Sequence, residues 1–146
     1  MTVNWLGIRC PEADEGLFPY LPLVKTDRQD TGRRGEAIAR QHLLDLGYEI
    51  EAVNYRYRRV ELDIVAREGD CLVFVEVKTR RGLAYGHPSG AVSAAKEARI
   101  SRAAKAYMYE TGHDWEVRFD IISILLHQDG SHTLEHLRDA FFPGLF

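Results

Sequence analysis

Apolar and polar positions recur along this chain with two different periods, and the changes of period mark its elements. Glu36, Ala39, Leu43 and Leu46 follow one another at three- and four-residue steps, the spacing of one helix face, so residues 32–46 are expected to be helical. Thr31 or a neighbour can cap that helix, and Gly47 stands where helices end. Three strand-like stretches follow, at 48–58, 60–67 and 71–79. A Gly/Pro-rich loop (82–90) leads into an alanine-rich helix over 92–110, whose core stripe is Ile100, Ala103 and Tyr107. An apolar strand at 117–126, the turn signal Asp129-Gly130 and a short strand at 133–137 complete the chain. The predicted order is α-β-β-β-α-β-β, a mixed α/β domain around a central sheet. The first 30 residues hold three of the five prolines (Pro11, Pro19 and Pro22) and no sustained periodicity. They are read as an N-terminal arm, with 31–146 as one domain.

Length and composition bound the fold without naming a function. A chain of 146 residues buries about two thirds of its unfolded surface, so folding requires no metal or disulfide staple. With 45% hydrophobic and 28% charged residues it has the make-up of a water-soluble globular protein. No apolar run approaches the roughly 20 residues of a membrane span, so no membrane partner is expected. Residues 1–20 lack a basic segment followed by an apolar core, which points to the cytoplasm rather than export. Cys10 and Cys71 are far apart, with no Cys/His cluster to hold structural zinc, and are expected as reduced thiols. The net charge of −3 conceals a local excess: Lys78 to Lys105 contains seven Lys/Arg and one acid, Glu97. Asn54 to Arg59 adds three arginines and two tyrosines.

The chemistry concentrates in one hairpin. If Gly69-Asp70 is a two-residue turn, Asp63 faces Glu76, and Glu61 faces Lys78. Strict alternation then gathers these four charges on one face, with Val60, Leu62, Ile64, Val73, Val75 and Val77 on the other. Opposed carboxylates with Cβ atoms roughly 5 Å apart repel, which raises a proton affinity or calls for a cation. Mg²⁺, or Mn²⁺ in its place, is a hard ion that needs only a few oxygen ligands. Asp63, Glu76 and the backbone carbonyl of Val77 are a credible set. Lys78 would stand beside bound water and scissile phosphate, to orient or deprotonate the one or to neutralise charge on the other. The plainer reading is a set of surface ion pairs, each contributing less than about 1 kcal/mol. The apolar neighbours on both faces weigh against it.

These residues also carry a resemblance. Asp63 followed by Glu76-Val77-Lys78 resembles the PD-(D/E)XK nuclease motif of restriction-endonuclease-like folds. More specifically, "GRRGEAIARQHLLDLGYEI", "NYRYRRVELDIV", "LVFVEVKTR", "YGHP", "KEARI" and "HLRDAF" resemble the YraN-like family of uncharacterised bacterial proteins. That family is regarded as distantly similar to archaeal Holliday junction resolvases. The resemblance covers residues 32–141 and implies a restriction-endonuclease-like domain with a central mixed sheet flanked by helices. It also implies metal-site acids at Glu36, Asp63 and Glu76, a catalytic lysine at Lys78, Mg²⁺ (or Mn²⁺) as cofactor, DNA cleavage, branched or structured DNA as substrate, and a homodimer. One departure stands out: Val60 replaces the glycine that precedes the acid matched by Glu61. The alternative is a nucleic-acid-binding module that keeps the fold with little or no catalysis.

Other residues have two readings each. Glu36 on an apolar stripe either supports the metal or stabilises a helix N-terminus. Arg56 and Arg58, interleaved with tyrosines, either contact phosphates or guard an edge strand. Arg80 and Arg81 directly follow the catalytic strand, where phosphate contacts would be close to the chemistry. Lys96, Arg99, Arg102 and Lys105 recur every three residues, which winds backward around a helix. Lys96 is expected toward the site, or as a snorkelling side chain, and Lys105 toward solvent, with Arg99 as a further phosphate contact. His132 and His136 are expected to share a strand face without binding metal, and His87 to be a loop residue.

Overall fold

The structure, a computed structural model, describes residues 27–82 and 92–142. The segment 1–26, with Cys10 and most of the expected arm, and the stretch 83–91, with His87, lie outside the described residues. The elements are α1 (Asp27–Asp45), β1 (Glu49–Tyr57), β2 (Val60–Glu68), β3 (Cys71–Arg81), α2 (Ala94–Thr111), β4 (Val117–Leu126) and β5 (His132–Leu137). This is the predicted α-β-β-β-α-β-β order. The first helix begins at Asp27, five residues before the periodicity alone suggests. Asp27 and Asp30 favour the positive end of its dipole, Arg81 pairs with Asp27, and the Thr31 hydroxyl donates to the Asp27 carbonyl. Gly47, at φ 86°, ends the segment as expected.

One sheet of five strands runs in sequence order from β1 to β5. All neighbours are antiparallel except β3 and β4, whose parallel pairing requires the crossover that α2 supplies. Ser93 caps α2 by accepting the Lys96 N–H, and Gly112, at φ 67°, closes it. The β2–β3 hairpin has the expected register, with Glu68 opposite Cys71 and Ile64 opposite Val75 around the Gly69-Asp70 turn.

Two apolar layers cover the sheet. On the α2 side, Leu62, Val65, Leu72 and Phe74 pack with Ile100, Ala103, Tyr107 and Phe119, while Val60 lies partly buried against them. On the α1 side, Ile64, Ala66, Val73 and Val75 pack with Ala39, Leu43, Tyr48 and Ile122, with Val77 alongside. Burying such side chains contributes about 1.5–3 kcal/mol each. This arrangement corrects the expectation of strict alternation: Val60 and Leu62 lie in the opposite layer from Ile64, although Leu62 and Ile64 are two residues apart. The side chains change layers around Asp63. Across from it, Asn54 takes a left-handed backbone at φ 51° while Val53–Ile64 and Tyr55–Leu62 remain paired on either side. A left-handed residue in a strand breaks the two-residue repeat.

The contact between α1 and β3 is intimate. A Cβ on Gly35 would stand 1.7 Å from Oγ1 of Thr79, so only glycine lets the helix lie this close to the strand. The next residue along α1 is Glu36.

Candidate metal and catalytic site

The β2–β3 ladder runs from the turn to Ile64–Val75 and stops, whereas β3 continues beside β4 as far as Arg81 and Leu126. The two strands of the hairpin therefore fork. Asp63 lies at the fork, where its Oδ2 accepts the Val77 N–H at 2.7 Å in place of a ladder bond. In a strand the N–H and C=O of a residue point to the same side. The Val77 carbonyl consequently faces the opening that Asp63 occupies.

Continuing the register by one step puts Glu76 across from Asp63, as the turn predicts. Burial pushes the Asp63 carboxyl up to about 7; the Glu76 carboxylate adds to the shift and Glu36 adds further, against the Val77 N–H and Lys96. The three acids singled out in the sequence thus share one electrostatic neighbourhood. Glu36 reaches it from α1, on the turn that Gly35 seats against Thr79. Glu76 has a side chain only 10% exposed and pairs with the ammonium of Lys96, in the first turn of α2. Lys96 therefore points to the site, as its position on the stripe suggested.

Lys78 follows on the same strand. Burial lowers its ammonium pKa, Glu76 opposes the shift, and Lys96 and Arg80 deepen it. Two lysines beside two carboxylates make a site that is close to neutral overall yet locally polarised. Glu61 is exposed and pairs with Arg56 at 2.7 Å, beyond the last paired position of β2 and β3. The fork carries β2 away from β3 there, so the turn arithmetic no longer holds.

Among the described residues, no group of three or more His, Cys, Asp or Glu side chains converges tightly enough to hold a metal ion. The donors that fit a hard cation are Asp63, Glu76 and the Val77 carbonyl, an all-oxygen set. Glu36 comes near enough on α1 to act electrostatically on the Asp63 carboxyl.

The remaining basic residues divide into groups. Arg81 is tied to Asp27, and Arg80 is exposed at the far end of β3. Arg58 and Arg99 line an open groove of about 820 Å³ between the β1–β2 turn and α2.

One polar cluster went unrecognised in the sequence. Asp120 is fully buried on β4. It accepts from Arg118 Nε at 2.8 Å, His136 Nε2 at 2.8 Å and the Asp139 N–H at 3.0 Å. Arg118 also donates to Glu68 and to the Tyr48 hydroxyl, while the His42 and His136 rings join through Nε2 and Nδ1 at 3.1 Å. Burial would raise the Asp120 carboxyl, but the bonds from His136 and Arg118 outweigh it and hold the carboxyl below its usual range. The network ties α1 to β4 and β5. Its one local signal was an acid inside the apolar run "VRFDIISILL".

Comparison with known proteins agrees with the sequence blocks. Residues 35–124 match the model of the uncharacterised protein family UPF0102. A UPF0102 protein of Rhodococcus jostii strain RHA1 is 46% identical over 111 residues, covering 75% of this chain and 94% of that protein. One from Pelobacter propionicus is 48% identical over 121 residues (81% and 86%), and one from Trichlorobacter lovleyi is 45% identical over 124 residues (83% and 97%). The match runs from within α1 into β4 and includes the fork and the Asp63, Glu76 and Lys78 positions. The chain belongs to the YraN-like family UPF0102.

Proposed function

We propose that this protein is a metal-dependent endonuclease that hydrolyses phosphodiester bonds in DNA, with branched or structured DNA as its substrate class. The observation that carries the reading is the fork, where Asp63 and the Glu76-Val77-Lys78 strand meet and one carboxyl is raised to about 7. Asp63 and Glu76, with the Val77 carbonyl, would hold Mg²⁺ or Mn²⁺, and Glu36 would steady the ion's water. Such an ion polarises the phosphoryl oxygen and makes bound water a better nucleophile.

The chain's own side chains do the rest. Burial beside Lys96 and Arg80 weakens the hold of Lys78 on its proton, which suits a group that orients the attacking water or takes part in its deprotonation. Lys96 pairs with Glu76, and would turn to a substrate phosphate if a cation took its place there. The substrate strand would approach over the basic residues Arg80, Arg99, Arg58 and Arg56. Paired cuts on a branched junction need two such sites, which is the role proposed for a homodimer. A cytoplasmic setting, with access to DNA, belongs to the same reading. Among the described residues no helix is long and apolar enough to cross a membrane.

The test is cleavage of linear, single-stranded and four-way-junction DNA with Mg²⁺ or Mn²⁺ by wild type, Lys78→Ala and Asp63→Asn. Strand scission by wild type alone supports the assignment, and equal activity in all three overturns it. The Lys96–Glu76 pair favours a second reading, a DNA-binding module whose site is satisfied without metal. That reading predicts salt-sensitive binding with no scission under any divalent ion.

A further inference from the structure

Arg99, Arg102, Ala106 and Tyr109 fall on α2 at steps of three, four and three, which sets them in one line along the helix. The line forms one wall of the open groove of about 820 Å³, and the β1–β2 turn with Tyr57, Arg58 and Arg59 forms the other. Ala106 keeps the floor open. Lys105 joins the lining, so the backward winding of the three-residue repeat did not carry it away from this surface. Among the described residues, five cations thus face the groove, with Glu110 as the one acid.

Two features go beyond a generally basic surface. Tyr109 presents an aromatic ring that is 90% exposed. Tyr57 lies across the groove with the Arg58 guanidinium 5.4 Å from its ring centre. Arg58 itself sits at φ 56°, at the first position of a two-residue turn where glycine is the easy choice. The strained backbone is thereby used to project a guanidinium at the groove's mouth. A cationic channel with one exposed ring, Tyr109, and a half-buried tyrosine capped by a guanidinium, Tyr57, has the chemistry that holds single strands, because every base has a π face and the backbone supplies the negative charge. The faces of stacked bases in a duplex are hidden from such rings.

We propose that this groove binds an unpaired stretch of polynucleotide, with a base stacked on Tyr109, a second against the Arg58 guanidinium over Tyr57, and phosphates on Arg99, Arg102 and Lys105. The stretch would enter along the groove and continue past Lys96 to the fork. From Arg99 to Tyr109 the wall is about 15 Å of helix, room for a few nucleotides. The proposal deepens the nuclease reading and rests on it for the direction of the strand, but binding to the groove stands or falls separately.

The test is fluorescence anisotropy in EDTA, with labelled oligothymidine, oligouridine and a blunt duplex, so that cleavage plays no part. Wild type should bind the single strands more tightly than the duplex, with the two single-stranded arms deciding between DNA and RNA. Tyr109→Ala should weaken single-strand binding roughly tenfold. Arg99→Gln with Arg102→Gln should lower the salt slope by about 0.7 per lost phosphate contact. Arg40→Gln, on the helix of the opposite layer, should leave affinity unchanged. Wild-type affinity in the groove variants, with melting temperatures intact, overturns the groove whatever the cleavage assays show. Groove-dependent binding without scission keeps the groove and removes the nuclease.

Discussion

The carboxylate of Asp63 accepts the backbone N–H of Val77 at 2.7 Å, fourteen residues away on the neighbouring strand. This bond replaces the ladder where β2 and β3 part, and it keeps a half-buried acid beside Glu76 despite the repulsion between them.

The first prediction concerns stability against pH. The unfolded Asp63 carboxyl titrates near 3.8 and the folded one near 7, so between those values the folded protein binds more protons than the unfolded chain. Stability from this group is present below about pH 4 and declines as pH rises toward 7, by up to roughly 4 kcal/mol. Asp63→Asn keeps an acceptor for the Val77 N–H and removes the charge. In EDTA its advantage over wild type should be larger at pH 7.5 than at pH 4.5, as read from urea melts. Wild-type and variant curves that run parallel across this range would refute the raised carboxyl. His42 and Asp120 titrate in both proteins and cancel in the comparison.

Metal addition should reverse that ordering. Mn²⁺ at pH 7.5 is expected to raise the melting temperature of wild type, because a ligand of the folded state alone stabilises it. The rise should vanish in Asp63→Asn and shrink in Glu76→Gln. A rise of the same size in both variants would mean that the ion binds elsewhere.

Lys78→Ala should lower any DNA cleavage by about 10²- to 10⁴-fold, the contribution of one positioned acid–base group, while leaving Mn²⁺-induced stabilisation in place. Loss of both effects would assign Lys78 to site integrity instead of chemistry.

Gly35→Ala tests how α1 is seated. The new methyl would stand 1.7 Å from Thr79 Oγ1 and 2.7 Å from Thr79 Cβ. Overpacking of this kind costs about 1–3 kcal/mol. Thr79→Ala should restore little, since Cβ itself is too close, whereas Thr79→Gly should relieve the contact. Thermal melts of the two double variants separate these outcomes.

Asp120→Ala should be the most damaging of these substitutions, by about 3–5 kcal/mol, because it leaves the Arg118 charge in the interior with its main partner gone. The depressed Asp120 carboxyl adds stability above its unfolded pKa that disappears as pH falls through the folded value. Acid unfolding of wild type below about pH 4 is expected to reflect this group, and Asp120→Asn should flatten it. A variant as stable as wild type at pH 7 would show that the network is dispensable.

Local physics made much of this protein legible from its residues. Helical spacing found both helices, Gly47 marked the end of the first, and Gly69-Asp70 set a hairpin register that the fold keeps from Glu68–Cys71 to Ile64–Val75. Those signals arise between residues a few positions apart, where sterics and turn chemistry act without the rest of the chain. The same register brought Asp63 and Glu76 together. It failed at Glu61 and Lys78, and strict alternation failed for Val60 and Leu62, because β3 stays with β4 while β2 turns away and the face changes at Asn54 and Asp63. Which neighbour a strand follows depends on packing across the whole sheet. Tertiary structure alone decided that Arg118 reaches Glu68 across 50 residues and Tyr48 across 70. A buried charge finds partners wherever the fold delivers them, and no period along the chain encodes that choice.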